Sequence, residues 1–363
     1  MNEFMSQYGD LAPSDILYRR WLKKLGRKRH WTTLLENFSD ADYQKSGDAE
    51  LRCYYVRALY GRGQRDKALD WTTDLWLSPK SQPKACDPIF DVWRTTPRFN
   101  QDIAWQRLDG AIQANQRTLA RYLLRFFTGS NKRIAEAYYQ VHTQPKRIQR
   151  YSRFSIDNAK TRTAIRHGLI RLSRSAPQEA AGAWQRYGKS HSFSAVQRTV
   201  INDHIQVGLA KDGVFPKDSE RSGASSSFAA QGMAEAALSQ QNWQELQYWI
   251  KRLPEGEQQT QRWQYWWARA VMQDADSTRA EAELADPQTL LTELAAQRHY
   301  YGFMAGLLLQ QTRPLQPGLP VPAPLNLESN PHIRRAIELF AVGEHLNGRR
   351  EWYRALDASN NEE

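Results

Sequence analysis

Cysteine is scarce in this chain: Cys53 and Cys86 are the only two among 363 residues. They cannot make a four-ligand metal site alone, and no histidine lies within a few residues of either to complete a zinc pattern. They read as a disulfide or as two inert thiols. A bond closing a loop of that length would add about 3–4 kcal/mol, and only in an oxidising compartment. Long apolar runs are absent too: the most apolar stretch, Tyr301 to Leu309, falls far short of the ~20 residues a membrane-spanning helix requires. Apolar and polar residues do not alternate beyond a few positions, so the signal for a half-buried strand is missing. No Walker lysine motif, His-Glu-x-x-His or Gly-x-Ser-x-Gly occurs. Gly61-Arg62-Gly63 lacks the third glycine of a dinucleotide loop and follows a helical pattern where that loop follows a strand, so it reads as a turn. The histidines are scattered, none three or four positions from another histidine or a cysteine. His299, before an aromatic pair, reads as a packing or surface residue. The opening, Met1-Asn2-Glu3-Phe4-Met5-Ser6-Gln7-Tyr8, has no basic region leading into an apolar run. The expectation is a chain without a secretory signal as written, either cytosolic or lacking its true beginning.

What is present is positive charge and aromatic bulk. Lys and Arg number 50 against 39 Asp and Glu, a formal net charge of +11 with a pI near 9.6. An anionic partner, whether nucleic acid, anionic lipid or acidic glycan, would be drawn to such a chain. The 13 Trp, 16 Tyr and 12 Phe supply large buried surfaces and exclude a disordered chain. The length fits two or three domains or one long repeat array.

Apolar residues recur at helical spacing almost throughout, so the fold class is all-α. Leu51, Tyr54, Tyr55, Ala58 and Leu59 make one stripe, Gly61-Arg62-Gly63 breaks it, and Ala68, Trp71, Leu75 and Trp76 make the next: an α-hairpin with a glycine turn. Trp263, Trp266, Trp267 and Ala270 follow the i, i+3, i+4, i+7 rule, after a helix from about Trp243 to Leu253 that stops at Pro254-Glu255-Gly256. Similar segments run from Ser14 to Gly26, His30 to Phe38, Asp102 to Ala114, Gln116 to Thr128, Lys132 to His142, Asn158 to Ser173, Pro177 to Tyr187, Phe193 to Ala210 and Ser226 to Ser239. Paired short helices without a fixed sequence period imply a degenerate α-solenoid, in which Ala58, Ala68, Ala236 and Ala270 let helices approach and Trp and Tyr fill the gaps. Residues 1–311 form this body. A Pro-rich connector over 312–328 follows, since its proline density forbids helix. The tail 329–363 reads as two helices, with Ile333, Ile337 and Phe340 on the first and Trp352, Tyr353 and Leu356 on the second.

The densest basic run is Arg19, Arg20, Lys23, Lys24, Arg27, Lys28 and Arg29, followed by Lys146, Arg147, Arg150 and Arg153, then Arg162, Arg166, Arg171 and Arg174. Each reads as a solvated helix face; if several lined the inner curve of a solenoid they would add into an anion-attracting channel. The aromatics fall mostly on apolar stripes and read as core rather than as stacking platforms.

Two blocks carry a family resemblance. The first is Cys53-Tyr54-Tyr55, Leu75-Trp76-Leu77, the run from Lys80 to Asp87, Phe90 and Val92-Trp93-Arg94. The second is Arg262-Trp263-Gln264-Tyr265-Trp266-Trp267-Ala268-Arg269-Ala270 with the run from Ala296 to Ala305. In order and separation they resemble the soluble lytic murein transglycosylases of Gram-negative bacteria, from about Trp21 to Trp352. The resemblance implies a right-handed α-superhelix, U-shaped, closed into a ring by a smaller linker domain, in a periplasmic protein. The family's lysozyme-like domain cleaves peptidoglycan through one glutamate, leaving a 1,6-anhydro end. Its motif is Glu-Ser, an aromatic, a proline and then Gly-Leu-Met-Gln. Glu328-Ser329-Asn330-Pro331 offers only the first two residues and reads instead as a helix start, with Ser329 or Asn330 as cap and Pro331 as first residue. The expectation is therefore a chain trimmed at both ends, without the catalytic domain and with no catalytic residue, cofactor or metal of its own. Its partners would be peptidoglycan glycan strands and the missing catalytic domain. The resemblance also implies a disulfide between Cys53 and Cys86. The rival reading is a helical-repeat module binding RNA or a protein peptide.

Overall fold

The computed structural model describes residues 1–217, 226–274, 286–311 and 329–359. Every regular element among the described residues is an α-helix or a short 3-10 helix, and none is a strand, as the periodicity predicts. The Pro-rich stretch 312–328 lies outside the described residues. Helices pack largely on their neighbours in sequence: Ala49–Gly61 on Arg65–Trp76, Gly129–Thr143 on Ala159–Leu172, Ser227–Ser239 on Trp243–Ile250, and Pro287–Ala295 on Tyr300–Leu308. The chain divides into two compact units, one made of residues 1–127 with the chain from 317 onward, the other of residues 128–316.

In the first unit the hairpin forms as its sequence dictates. The Asp48 carboxylate accepts from the Leu51 N–H at 3.1 Å and caps the helix Ala49–Gly61, supplying one of the donors a helix start leaves orphaned. Leu51, Tyr54, Tyr55, Ala58 and Leu59 are all buried. Gly63 takes a φ of 91°, a left-handed turn that glycine adopts without steric cost, and the returning helix Arg65–Trp76 buries Ala68, Leu75 and Trp76. The Trp76 indole is the hub of an aromatic cluster, with Phe90, Trp93, Phe99 and Phe126 rings at 5.3–5.6 Å. Cys53 and Cys86, both fully buried, are joined in a disulfide with Cα atoms 4.9 Å apart. It ties the first hairpin helix to the 3-10 turn Lys84–Cys86, which leads directly into the helix Asp87–Arg94.

The helix Ala12–Arg27 packs on Ala49–Gly61 through Gly26. A Cβ at position 26 would stand 2.2 Å from Tyr54 Cγ, inside any real carbon contact, and Tyr54 is itself packed in the core. Gly26→Ala is therefore expected to lower stability by about 1–3 kcal/mol, the usual range for overpacking, despite alanine's better helix propensity. The urea midpoint of the first unit's unfolding measures it.

The tail forms its two helices, Pro331–Ala341 and His345–Ser359, and the second packs against Ala12–Arg27. The buried face differs from the one the apolar stripes suggest. Ile333, Ala336, Ala355 and Glu351 are buried, whereas Ile337, Trp352, Tyr353 and Leu356 are exposed. Small alanines let the helices approach, and the polar contacts of Glu351, described below, decide which side faces inward.

The second unit holds a core in which alanines alternate with bulk. Ala230, Ala234, Ala236, Ala237, Ala268 and Ala270 pack with Met233, Trp249, Trp263, Tyr265 and Trp267. Of the predicted tryptophan stripe, Trp263, Trp267 and Ala270 are buried and Trp266 is half-buried; Tyr265, off the stripe, is buried as well.

Candidate functional site

A cavity of about 510 Å³ opens in the first unit, between the disulfide-tethered segment and the helices that follow it. Ser81 and Gln82 come from the loop before Cys86. Asp87, Phe90, Asp91 and Arg94 come from the helix Asp87–Arg94, Arg107 from Gln101–Gln113, and Thr118, Leu119 and Tyr122 from Arg117–Leu123. Trp76 lies at its base.

Arg107 is the unusual member. Its side chain is only 3% exposed, its guanidinium carbon lies 4.2 Å from the Trp76 ring centroid and 5.8 Å from that of Phe90, and its Nε is buried without a hydrogen-bond acceptor. Buried charges are ordinarily paired, yet Arg107 has no carboxylate partner among the described residues. Burial, chiefly, pushes its pKa down to about 10, the like charge of Arg94 adds to the fall, and the Tyr122 phenol opposes it. Of the two carboxylates on the wall, Asp87 and Asp91, the latter is engaged in an ion pair with Arg94 on its own helix. Stacking on the indole recovers part of the desolvation cost of Arg107, on the order of 2 kcal/mol for a buried cation–π contact. Sequence reasoning did not single Arg107 out. The signal was there: Ala104, Arg107, Leu108 and Ala111 share the i, i+3, i+4, i+7 stripe, and all four are buried, so a charge sits where the pattern calls for an apolar residue.

The basic runs behave mostly as solvated faces. Arg19, Arg20, Lys24, Arg27, Lys28 and Arg29 are exposed, whereas Lys23 turns inward to bridge Asp48 at 2.7 Å and Glu50 at 3.1 Å. Lys146 pairs with Glu179 at 2.8 Å and Arg162 with Asp157, while Arg150, Arg153 and Arg174 are exposed. The first run belongs to the first unit, the other two to the second.

Two histidines that are far apart in sequence meet in the second unit. His142 Nδ1 and His167 Nε2 are 3.1 Å apart across adjacent helices. Burial, then the neighbouring His142 and the arginines Arg171, Arg166 and Arg174, hold the His167 pKa down to about 3. It stays neutral at ordinary pH and serves as a hydrogen-bonded core pair. His299 caps the helix Tyr300–Leu308, its Nδ1 accepting from the Gly302 N–H at 3.0 Å. Glu328 lies outside the described residues; Asn330 caps the helix Pro331–Ala341, accepting from the His332 N–H at 2.9 Å, with Pro331 as first residue. No group of three or more His, Cys, Asp or Glu side chains among the described residues is arranged to hold a metal ion.

The tail's second helix carries a buried carboxylate. Glu351 accepts from the Ala12 N–H at 2.8 Å, from His332 Nδ1 at 2.8 Å and from Arg335 Nε at 3.3 Å. Arg335 also reaches Asp10 at 3.1 Å, and Arg354 reaches Asp15 at 3.0 Å and the Leu11 carbonyl at 3.3 Å. Residues from the two ends of the chain thus share one polar network.

No family model matches the chain. Curated relatives do. The soluble lytic murein transglycosylase of Escherichia coli K12 is 24% identical over 361 residues, covering 97% of this chain and 54% of the relative. That of Salmonella typhimurium is 24% identical over 359 residues with the same coverage. Among solved structures, an inactive mutant of the lytic transglycosylase from Pseudomonas aeruginosa aligns with a TM-score of 0.73 at 28% identity, covering 98% of this chain and 57% of its own. The 70 kDa soluble lytic transglycosylase of E. coli aligns at 0.77 with 23% identity, covering 97% and 56%, and a complex of such an enzyme with bulgecin A aligns at 0.76. The chain spans about half the length of the curated relatives it matches. Along nearly its whole length, this chain is a homologue of the soluble lytic murein transglycosylases and has their all-α fold.

Proposed function

We propose that this chain is the non-catalytic helical portion of a soluble lytic murein transglycosylase, exported to the periplasm, where it binds and guides peptidoglycan strands. In this reading residues 1–311 are the superhelical body, 312–328 a Pro-rich connector and 329–363 part of the linker domain, and bond cleavage belongs to a lysozyme-like domain. The observation that carries it is the match along 97% of this chain but 54% of the relatives. The net charge of +11 suits an acidic polymer that carries lactyl and peptide carboxylates.

The test uses purified sacculi. The chain alone is expected to co-sediment with them, with affinity falling as salt rises through the Debye regime, and to release no 1,6-anhydromuropeptides. Release of such products would overturn the non-catalytic reading. Failure to sediment, together with tight RNA binding and a steep salt slope, would favour the rival helical-repeat reading that the same charge allows.

A further inference from the structure

We infer that the cavity around Arg107 is a binding site for a peptide carboxylate, with the Arg107 guanidinium as its charged anchor. The inference rests on the proposed function for its choice of ligand, the acidic stem peptide of peptidoglycan, and on the geometry for its chemistry. A side chain left 3% exposed, with an unsatisfied Nε and no carboxylate partner among the described residues, carries a desolvation cost that the fold does not fully offset. A carboxylate entering from the cavity would supply the missing acceptor and, through the planar fork of arginine, a bidentate pair.

The rest of the wall suits the same guest. Arg94, only partly neutralised by the exposed Asp91, adds positive potential near Arg107. Ser81, Gln82, Thr118 and Tyr122 offer hydroxyl and amide groups for the peptide units on either side of the acid. Asp87 lies on the same wall and is exposed to solvent, which screens its charge. A volume of about 510 Å³ is in the range of small-molecule sites and has room for a few amino-acid residues, not a folded partner. The Trp76 ring is 1% exposed and covered by Arg107. It fixes the guanidinium plane and is not itself available to stack on a sugar, which points to the peptide part of the polymer as the occupant.

The experiment is calorimetric titration of the whole chain with three soluble probes: a disaccharide peptide with free carboxylates, the same compound with its carboxylates amidated, and peptide-free glycan oligomers. The first is expected to bind at least tenfold more tightly than the other two. Arg107→Met is expected to erase that difference while leaving the thermal midpoint unchanged or higher, since removing an unpaired buried charge relieves strain on the fold. Arg107→Lys keeps the charge without the fork and is expected to fall in between. Equal affinity of wild type and Arg107→Met for the free-carboxylate probe, or a fall in the midpoint of Arg107→Met with carboxylate preference intact in Arg107→Lys, would overturn the site and assign Arg107 a structural role. Sacculus sedimentation separates the two proposals. Binding to sacculi that Arg107→Met does not weaken, with no carboxylate preference among the soluble probes, sinks the site and leaves the proposed function standing. A carboxylate preference without any sacculus binding sinks the proposed function.

Discussion

Glu351→Ala is expected to detach the two C-terminal helices from the N-terminal ones, at a cost of about 3–5 kcal/mol to that contact, the range for removing one partner from a buried charged network. The residue is 2% exposed, and loss of its carboxylate takes the acceptor from the Ala12 N–H and the His332 ring nitrogen and leaves Arg335 only the exposed Asp10 as a carboxylate partner among the described residues. Glu351→Gln should cost less, because its amide oxygen still accepts from Ala12 while its amide nitrogen faces Arg335 without an acceptor to offer. Hydrogen exchange is the measure: amides of His345–Ser359 and Ala12–Arg27 should lose protection together, while those of Ser227–Ser239 keep theirs. The same network sets an acid limit. Burial raises the Glu351 pKa, but hydrogen bonds from His332 and the Ala12 N–H and the charge of Arg335 outweigh it, so the folded value lies below the ordinary 4.5. A depressed folded pKa means the stabilisation is complete above about pH 4.5 and is lost as the pH drops through the folded value. Protection of these two helices should therefore decay in acid, and Glu351→Gln should flatten that dependence.

Reduction of the Cys53–Cys86 bond, or replacement of both cysteines by alanine, is expected to destabilise the first unit by about 3–4 kcal/mol in the loop-entropy treatment, given a sequence separation of 33. Both sulfurs are fully buried, so reduction should need partial unfolding and be slow in native buffer and fast in urea. The loss should reach the Arg107 cavity, because Cys86 anchors the turn from which the wall bearing Asp87, Phe90 and Arg94 springs. A Tm series of oxidised, reduced and Cys53→Ala/Cys86→Ala protein checks the magnitude. An unchanged midpoint in all three would mean that the packing around the sulfurs, not the cross-link, holds the wall.

Helices were legible wherever an apolar stripe ran three or more turns, because periodicity survives the loss of every other cue. Ala159–Leu172 and Gln101–Gln113 fall within one or two residues of their sequence-read bounds. Short polar helices were not legible. Asp40–Lys45 owes its existence to a capping box between Ser39 and Asp42, a local device with no stripe to announce it. The tail shows a second kind of blindness. Its two helices follow the apolar pattern, but Trp352 and Leu356 are exposed and Glu351 is buried, since the polar partners that choose the inward face include Ala12, 339 positions away. The cavity was hidden for a related reason. Trp76, Arg107 and Tyr122 stand on three different helices, and no spacing rule joins them. Only the misplaced charge on the stripe of Arg107 hinted at it.

The bond from Ala12 to Glu351 spans 339 positions, and this has a consequence for synthesis on the ribosome. At ~5–20 residues per second, the helix Ala12–Arg27 emerges some tens of seconds before its docking partner has been translated. The second unit lies wholly between them in sequence and can finish folding in that interval, leaving the first to close last. Joining the early and late segments in a circular permutant should remove the wait and speed maturation without altering the finished contacts.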